Sequence, residues 1–286
     1  MPTLYVVATP IGNLNDLSPR AVQTLRDCAL IAAEDTRVTR KLLTRFDITT
    51  PMVSNHRHNE AARTTELVDR MLAEDLAVAL VSDAGTPCIS DPGYLLVKAC
   101  VDAGIAVLPI PGPSAVAAAL SISGFDCQEF TFYGFLPRAA GPLRKKLLAI
   151  ASSHVPVAVL YESPHRVQAL LEAVAETLPG AEACVCCDLT KLYECTLHGG
   201  AEQVLSALRA NPNAQKGEYC VVLDLRDVVM PTPTTPLLEI SLEARLLERM
   251  LSGQSLREAE ADLRSTGQRR NELYKASVRV REFLER

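Results

Sequence analysis

One local pattern, repeated along the first 115 residues, restricts the fold more than any other feature. A short apolar run ends in a turn-rich loop, and an amphipathic stretch follows. The runs are "TLYVVA" (3–8), "LIAAED" (30–35), "LAVALVSD" (76–83) and "IAVLPI" (105–110), with "PMVS" (51–54) as a shorter fifth. Between them, "SPRAVQTLRDCA" predicts a helix with Ser18 as N-cap and Pro19 at its first position. "TRVTRKLLTRF", "NEAARTTELVDRMLAE" and "GYLLVKACVDAG" read as further helices. Strands separated by helical stretches indicate βαβ units and a mostly parallel sheet.

In such a sheet, ligands gather at the carboxyl ends of the strands. Four loops expected there share an unusual composition: "TPIGNLNDLSP" (9–19), "EDTRVTR" (34–40), "SDAGTPCISDPG" (82–93) and "PGPSA" (111–115). Glycine, proline and small hydroxyl residues let backbone approach a ligand closely. Four such loops at one sheet edge point to a small-molecule site. The sequence contains neither a GxGxxG after the first strand nor a GxxxxGK[ST], which argues against the standard dinucleotide and phosphate loops. HExxH and GxSxG are missing too. Ser114 in "PGPSA" reads as a helix cap rather than a nucleophile. His56 and His58 lack a third partner, so no metal site is expected.

Beyond residue 115 the rhythm changes. "SAVAAALSISG" reads as a helix of small residues. "EFTFYGFL" (129–136), "VPVAVLYES" (155–163), "EACVCCDL" (182–189), "LYECTL" (192–197) and "EYCVVLDL" (218–225) read as strands. The last three follow one another closely enough to include antiparallel pairs, so the second sheet should be mixed. "MPTPTTP" (230–236) reads as a linker, and "SLREAEADLRST" and "QRRNELYKASVRVREFLER" as helices beyond it. The expected division is 1–114, 115–228, a linker at 229–238 and a helical segment at 239–286.

Composition adds exclusions. No run of eighteen apolar residues exists and no basic segment precedes the first apolar run, so neither a membrane span nor a signal peptide is expected. A cytoplasmic location follows as the expectation. Nine cysteines, an odd number whose one cluster, Cys184, Cys186 and Cys187, falls in the strand-like run "ACVCCDL", read as reduced small hydrophobes. The net charge of −5 does not announce a nucleic-acid partner, but "RAAGPLRKK" (138–146) concentrates Arg138, Arg144, Lys145 and Lys146 without an acid. The tail carries a slight cationic excess that a solvated helix face explains equally well.

Taken together, "VATPIGNLNDLSPRA", "AEDTRVTRKLL", "SDAGTPCISDPG", "IPGPSAVAAALSISG", "FYGFLPR", "YESPHR", "LTKLYE" and "GEYCVVL" resemble the tetrapyrrole methylase superfamily, within it the RsmI-type ribosomal RNA branch. The tail resembles that branch more loosely, through "RRNELYKAS". The resemblance implies an α/β fold of two α/β domains, a parallel sheet first and a mixed sheet second, with a small helical C-terminal domain. It implies S-adenosyl-L-methionine in a cleft between the domains, and a homodimer. It also implies methyl transfer to the ribose 2′-oxygen of a cytidine in the decoding region of 16S rRNA, within the 30S subunit.

Read back onto the chain, the resemblance places Asp83, Ala84, Gly85, Ile89 and Ser90 around the methionine portion of the cofactor. The turn from Pro111 to Ala115, with Gly112 and Ser114, supplies backbone contacts. Phe135, Leu136, Leu189, Thr190 and "GEY" with Glu218 and Tyr219 grip adenine and ribose. Pro10 joins the cofactor set from the first loop, which with Gly12 faces the acceptor. Asp91 and Pro92 are expected to launch the next helix. A ribose hydroxyl needs a proton acceptor. Glu34 and Asp35 are the first candidates, ahead of Asp83 and His58, although Asp35 reads equally well as a helix cap or a partner of Arg37 or Arg40. Arg138, Arg144, Lys145, Lys146, Arg166 and Lys191 form the expected RNA-binding set, the last two also readable as solvated surface cations. Three other readings stay open at this point: a tetrapyrrole acceptor, a non-catalytic ribosome-binding module and a small-molecule hydrolase.

Overall fold

A computed structural model describes residues 1–229, 241–266 and 268–284. The chain divides after Met230 into two compact units. All of the expected linker at 229–238 except Val229 lies outside the described residues.

The first unit opens with β1 (Thr3–Val7), α1 (Pro19–Asp27), β2 (Leu30–Ala33), α2 (Thr36–Arg45), β3 (Met52–Ser54), α3 (Glu60–Glu74), β4 (Ala77–Val81), α4 (Tyr94–Asp102) and β5 (Ala106–Ile110). The strands pair in the order β3-β2-β4-β1-β5, parallel throughout. Ser18 caps α1 by accepting the Ala21 N–H at 3.1 Å, with Pro19 at the first helical position, as the sequence predicts. Both faces are covered, Leu25 and Leu43 meeting one side and Leu67, Met71 and Leu96 the other. Strands buried on both faces explain why β2 and β4 read as unbroken apolar runs.

The connectivity creates the site. β1 and β4 are neighbours, yet the chain after β1 crosses to β2 on one side and the chain after β4 crosses to β5 on the other. Their loops therefore part at the carboxyl edge, the topological switch point where open α/β sheets take ligands. Across that gap Thr9 and Gly85 exchange backbone hydrogen bonds of 2.8 and 3.0 Å, and the buried Thr9 hydroxyl donates to Ser82 O at 3.1 Å.

The chain continues through α5 (Ala115–Ile122), β6 (Phe130–Phe135), α6 (Ala140–Ala151), β7 (Val157–Glu162), α7 (Val167–Thr177), β8 (Glu182–Cys187), β9 (Cys195–Gly200), α8 (Ala201–Ala210) and β10 (Tyr219–Asp224). The second sheet runs β6-β7-β10-β8-β9 and is mixed: β6 and β7 are parallel, and β10 is antiparallel to both of its neighbours. α6, α7 and α8 cover one face. α5 and the buried Cys184, Cys186 and Cys220 pack on the other. All nine cysteines are free; burial pushes the Cys220 thiol up to about 12, and Cys184, Cys186 and Cys220 pack in the apolar core as small hydrophobes.

β9 starts three residues later than "LYECTL" suggests. Asp188 and Thr190 both take left-handed backbone, with φ of 51° and 67°, and coil residues 188–194 into a turn before pairing resumes. No glycine marks that turn.

Among its described residues, the second unit is three helices: α9 (Leu242–Leu251), α10 (Leu256–Ser265) and α11 (Arg270–Leu284). Leu246, Ala259, Leu263, Leu273, Ala276 and Val280 form its core. Ser255 and Glu258 build a reciprocal capping box at the start of α10. Among the described residues, no helix is long and apolar enough to cross a membrane.

Candidate functional site

A cleft of about 370 Å³ opens between the two sheets. From the first sheet come Ile11 after β1, the stretch Ala84–Thr86 with Ile89–Asp91 after β4, and Ser114 and Ala115 after β5. The second sheet contributes Phe135 at the end of β6, Tyr161–Pro164 at the end of β7, Cys186 and Leu189, and Gly217–Cys220 at the start of β10. Because β10 is antiparallel to β7 and β8, its first residues lie beside their last ones: Tyr219 is in register with Glu162 and with Cys187.

The walls suit a flat apolar group. Phe135 and Phe132 meet Tyr161 edge to face, at 5.9 and 4.9 Å between centroids. A register shift in β6 between Phe132 and Gly134, with Gly134 at φ +61°, turns Phe135 to the cleft. Gly85, at φ +80°, lets its loop lie flat on Thr9, and a Cβ there would meet Ile11 at 3.4 Å.

Carboxylates cluster at the first-sheet end. Asp91 lines the cleft, and its charge acts on Glu34. Burial, then Asp91 and Asp83, raise the Glu34 pKa, opposed by the Asp83 backbone N–H and by Arg57. Burial also raises Asp83 and Asp91. The Arg57 guanidinium donates to Ser90 O at 2.8 Å and counters the charge of Glu34 and Asp91.

The turn 188–194 closes the opposite side. Lys191 Nζ donates to Asp188 Oδ1 at 2.9 Å and to Glu218 Oε2 at 2.8 Å. Thr190 Oγ1 accepts the Asn13 N–H at 3.0 Å, joining the turn to the first loop. Gly12 lies so close that a Cβ would meet Lys191 Cγ at 2.5 Å and Thr190 Oγ1 at 2.7 Å.

A family model described as tetrapyrrole (corrin/porphyrin) methylases matches residues 3–205. A Synechocystis protein named ribosomal RNA small subunit methyltransferase I is 42% identical over 283 residues, 98% of this chain and 99% of that one. The chain belongs to the tetrapyrrole methylase family. A Xylella fastidiosa protein of the same name is 45% identical over 223 residues, 77% of this chain and 81% of its own length. Among solved structures, a uroporphyrin-III C-methyl transferase from Thermus thermophilus, complexed with S-adenyl homocysteine, superposes with a TM-score of 0.54 at 17% identity, over 78% of this chain and 97% of that one. That likeness is one of fold.

In this tetrapyrrole methylase, Ala84, Gly85, Ile89, Ser90, Ser114, Ala115, Phe135, Leu189, Glu218 and Tyr219 line the cleft. Pro10, Asp83, Pro111, Gly112, Leu136 and Thr190 do not. Leu136 is buried in the core beneath α6 and α7. Gly112 and Thr190 instead line a second, open hollow that shares Ile11 and Ser114 with the cleft. Asp83 turns along the sheet edge and accepts the Asp35 N–H.

Several expected roles need correction. Asp35 caps α2 through the Arg37 N–H at 2.8 Å and pairs with the Arg37 side chain; these bonds hold its pKa down to about 2. Lys191 is neutralised by Asp188 and Glu218, so it offers no free charge to a phosphate. Arg166 spends its guanidinium on the buried Glu162, 3.0 Å away, and on Leu136 O and Pro137 O. In the basic stretch, Arg144 pairs with Glu176 and Lys146 sits over the Tyr133 ring at 4.8 Å, while Arg138 and Lys145 are exposed. Asp91 does not cap α4: Glu60, from α3, accepts the Gly93 and Leu95 N–H groups at 2.8 and 3.0 Å. Sequence reasoning also left Ile11, in "TPIGNL", and Tyr161, Glu162, Ser163 and Pro164, in "YESPHR", without a role at the cleft.

Proposed function

We propose that this chain is an S-adenosylmethionine-dependent methyltransferase that methylates the ribose 2′-oxygen of a cytidine in the decoding region of 16S rRNA, in the cytoplasm, as a homodimer acting on the 30S subunit. The end-to-end correspondence with the Synechocystis relative carries the reading, since it spans both units of the chain.

The cleft fits the cofactor. The aromatic pair and Leu189 offer apolar walls to the adenine, and the backbone of Gly217–Tyr219 offers polar groups at its edge. Ser90 and Asp91, at the first-sheet end, match the cationic end of the molecule. When bound, S-adenosylmethionine supplies an electrophilic methyl group on a sulfonium, and in-line displacement leaves alignment and proton removal to the protein.

Glu34 accepts the proton of the ribose hydroxyl. Its raised pKa brings it nearer the working pH, where a general base is most effective, whereas Asp35 is too weak a base and is occupied by α2. Arg57 steadies the ionised carboxylates. Arg138 and Lys145 contact phosphates, and the reactive nucleotide is splayed out of its stack to enter the cleft.

The test offers labelled S-adenosylmethionine and purified protein with small subunits, naked 16S rRNA and a tetrapyrrole. Label on RNA, at a ribose resistant to alkaline cleavage, is expected. Label on the tetrapyrrole alone, or on nothing, overturns the reading.

A further inference from the structure

Four of the nine cysteines, Cys88, Cys127, Cys187 and Cys195, keep part of their surface open to solvent; the others are buried. Cys88 packs with the cluster around Leu80 and Cys127 with that around Val159, so those two thiols belong to different sheets. Cys187 and Cys195 instead stand directly opposite each other, as the last pair of the β8–β9 ladder. Cys184 and Cys186 bring their sulfurs within 3.7 Å, but both are fully buried neighbours along one strand. Successive strand residues point to opposite faces, so those two sulfurs lie on the face away from Cys187.

The ladder fixes how far apart the two backbones stand. The Ala201 N–H donates to Ala181 O at 3.2 Å, and these two residues continue the same register. Hydrogen-bonded pairs recur at every second residue of an antiparallel ladder, so Cys187 and Cys195 form one, with Cα atoms about 5.5 Å apart. That separation falls inside the roughly 4.4–6.8 Å that a disulfide spans. The Cβ atoms of such a pair stand about 5.5 Å apart, whereas a disulfide wants roughly 3.5–4.5 Å, so bonding draws the strand ends together by about 1 Å. The ladder ends at this pair, and no further β8–β9 bond resists the approach. A disulfide strained in this way is readily reduced again.

We propose that Cys187 and Cys195 are a reversible redox pair, which hydrogen peroxide joins into a disulfide across the base of the turn 188–194. One thiolate attacks the peroxide: an S–O bond forms, the O–O bond breaks, and the departing hydroxide takes up the thiol proton as water. The second sulfur then attacks that sulfenic acid. The S–S bond forms, the S–O bond breaks, and hydroxide leaves with the second thiol proton as another water. The two thiols lose two electrons and the peroxide gains them. The turn so tied carries Leu189, a wall of the cleft, and Thr190, whose hydroxyl accepts the Asn13 N–H. Asp188 begins it, giving its N–H to Glu218 O and its carboxylate to Lys191. Drawing in the end of β8 therefore shifts the cleft wall, and oxidation weakens cofactor binding; that consequence rests on the cofactor reading given under Proposed function.

The experiment treats the reduced full chain with hydrogen peroxide, blocks the remaining thiols and maps the product with trypsin. Lys191 lies between the two cysteines, so trypsin leaves them on separate peptides, 167–191 and 192–209, which only a disulfide keeps together. The joined pair should appear with the loss of two thiols, fragmentation should assign the bond to Cys187, and glutathione should release it. Cys187→Ser and Cys195→Ser should each abolish the joined species. By calorimetry, the oxidised parent should bind S-adenosylhomocysteine about fivefold or more weakly and recover on reduction. Peroxide that oxidises Cys88 or Cys127 while the two peptides stay apart overturns the pair, as does a disulfide that glutathione leaves intact. A disulfide that forms with no change in affinity overturns its coupling to the cleft. A reduced parent that binds no S-adenosylhomocysteine, yet forms the disulfide, defeats the cofactor reading and leaves the redox pair standing.

Discussion

The carboxylate of Asp83 accepts the backbone N–H of Asp35 at 3.0 Å, while the backbone N–H of Asp83 approaches Glu34 Oε2 at 3.4 Å. The loops after β2 and β4 are thereby tied in both directions. Glu34, which does not itself line the cleft, is held at the loop that carries the cleft-lining Asp91, and Asp35 caps its helix.

In the function proposed above, this arrangement separates two adjacent carboxylates by role. Glu34→Gln is expected to lower turnover about 100- to 10,000-fold with cofactor affinity intact. Because the Glu34 pKa is raised, its basic form grows only as pH climbs past the ordinary 4.5, so the acid limb of the rate profile should lie above that value and vanish in the variant. Asp35→Asn, which retains a cap, should change turnover no more than a few-fold. The Asp35 pKa is depressed from 3.8 to about 2, so its contribution to stability is present above 3.8 and fades as pH falls toward 2. Rate profiles and melts of the two variants check both statements.

Glu60 is the second test. Its carboxylate, 9% exposed, holds the first turn of α4 and with it the end of the cleft loop. Glu60→Ala leaves those N–H groups without their acceptor and should cost about 1–3 kcal/mol in denaturant unfolding. Cofactor affinity should fall too, because Ile89–Asp91 lose their anchor. Unchanged affinity in a destabilised protein would show that the loop keeps its shape without the cap.

Gly12 tests the closure between the first loop and the turn 188–194. Its φ is not left-handed, so Gly12→Ala strains no backbone. The added methyl would instead press on Lys191, Thr190 and Leu189 O. Such overpacking costs roughly 1–3 kcal/mol, and calorimetry should show weaker cofactor binding as the turn moves outward.

The cations divide sharply. Arg138→Ala with Lys145→Ala should weaken RNA binding and flatten its salt dependence while leaving the melting temperature unchanged. Lys191→Ala should do the opposite, leaving Asp188 and Glu218 facing each other and disturbing the cleft. Salt titrations of both variants distinguish a phosphate contact from an internal pair.

The α/β architecture was legible because buried parallel strands leave unbroken apolar runs, and because Ser18 and Pro19 announce a helix locally. The convergence of four loops followed from strand direction alone. What stayed hidden depended on distant partners. Nothing near Asp91 reveals that Glu60 caps α4, and nothing near Lys191 reveals Glu218. Nor does a sequence show that Asp188 and Thr190 accept a backbone usually left to glycine, which displaced β9. Asp35 shows the limit from the other side: its two readings were both visible, and only the geometry of Arg37 chose between them.

The reciprocal bonds between Thr9 and Gly85 have a consequence for how such a protein changes over time. They brace the loops after β1 and β4 at the cleft from within the backbone, where side-chain substitution has little leverage. In the function proposed above, the acceptor end is drawn by replaceable side chains such as Glu34, Arg57 and the cations beyond them. On that reading, a lineage can exchange the molecule it modifies while inheriting the seat of its methyl donor unaltered.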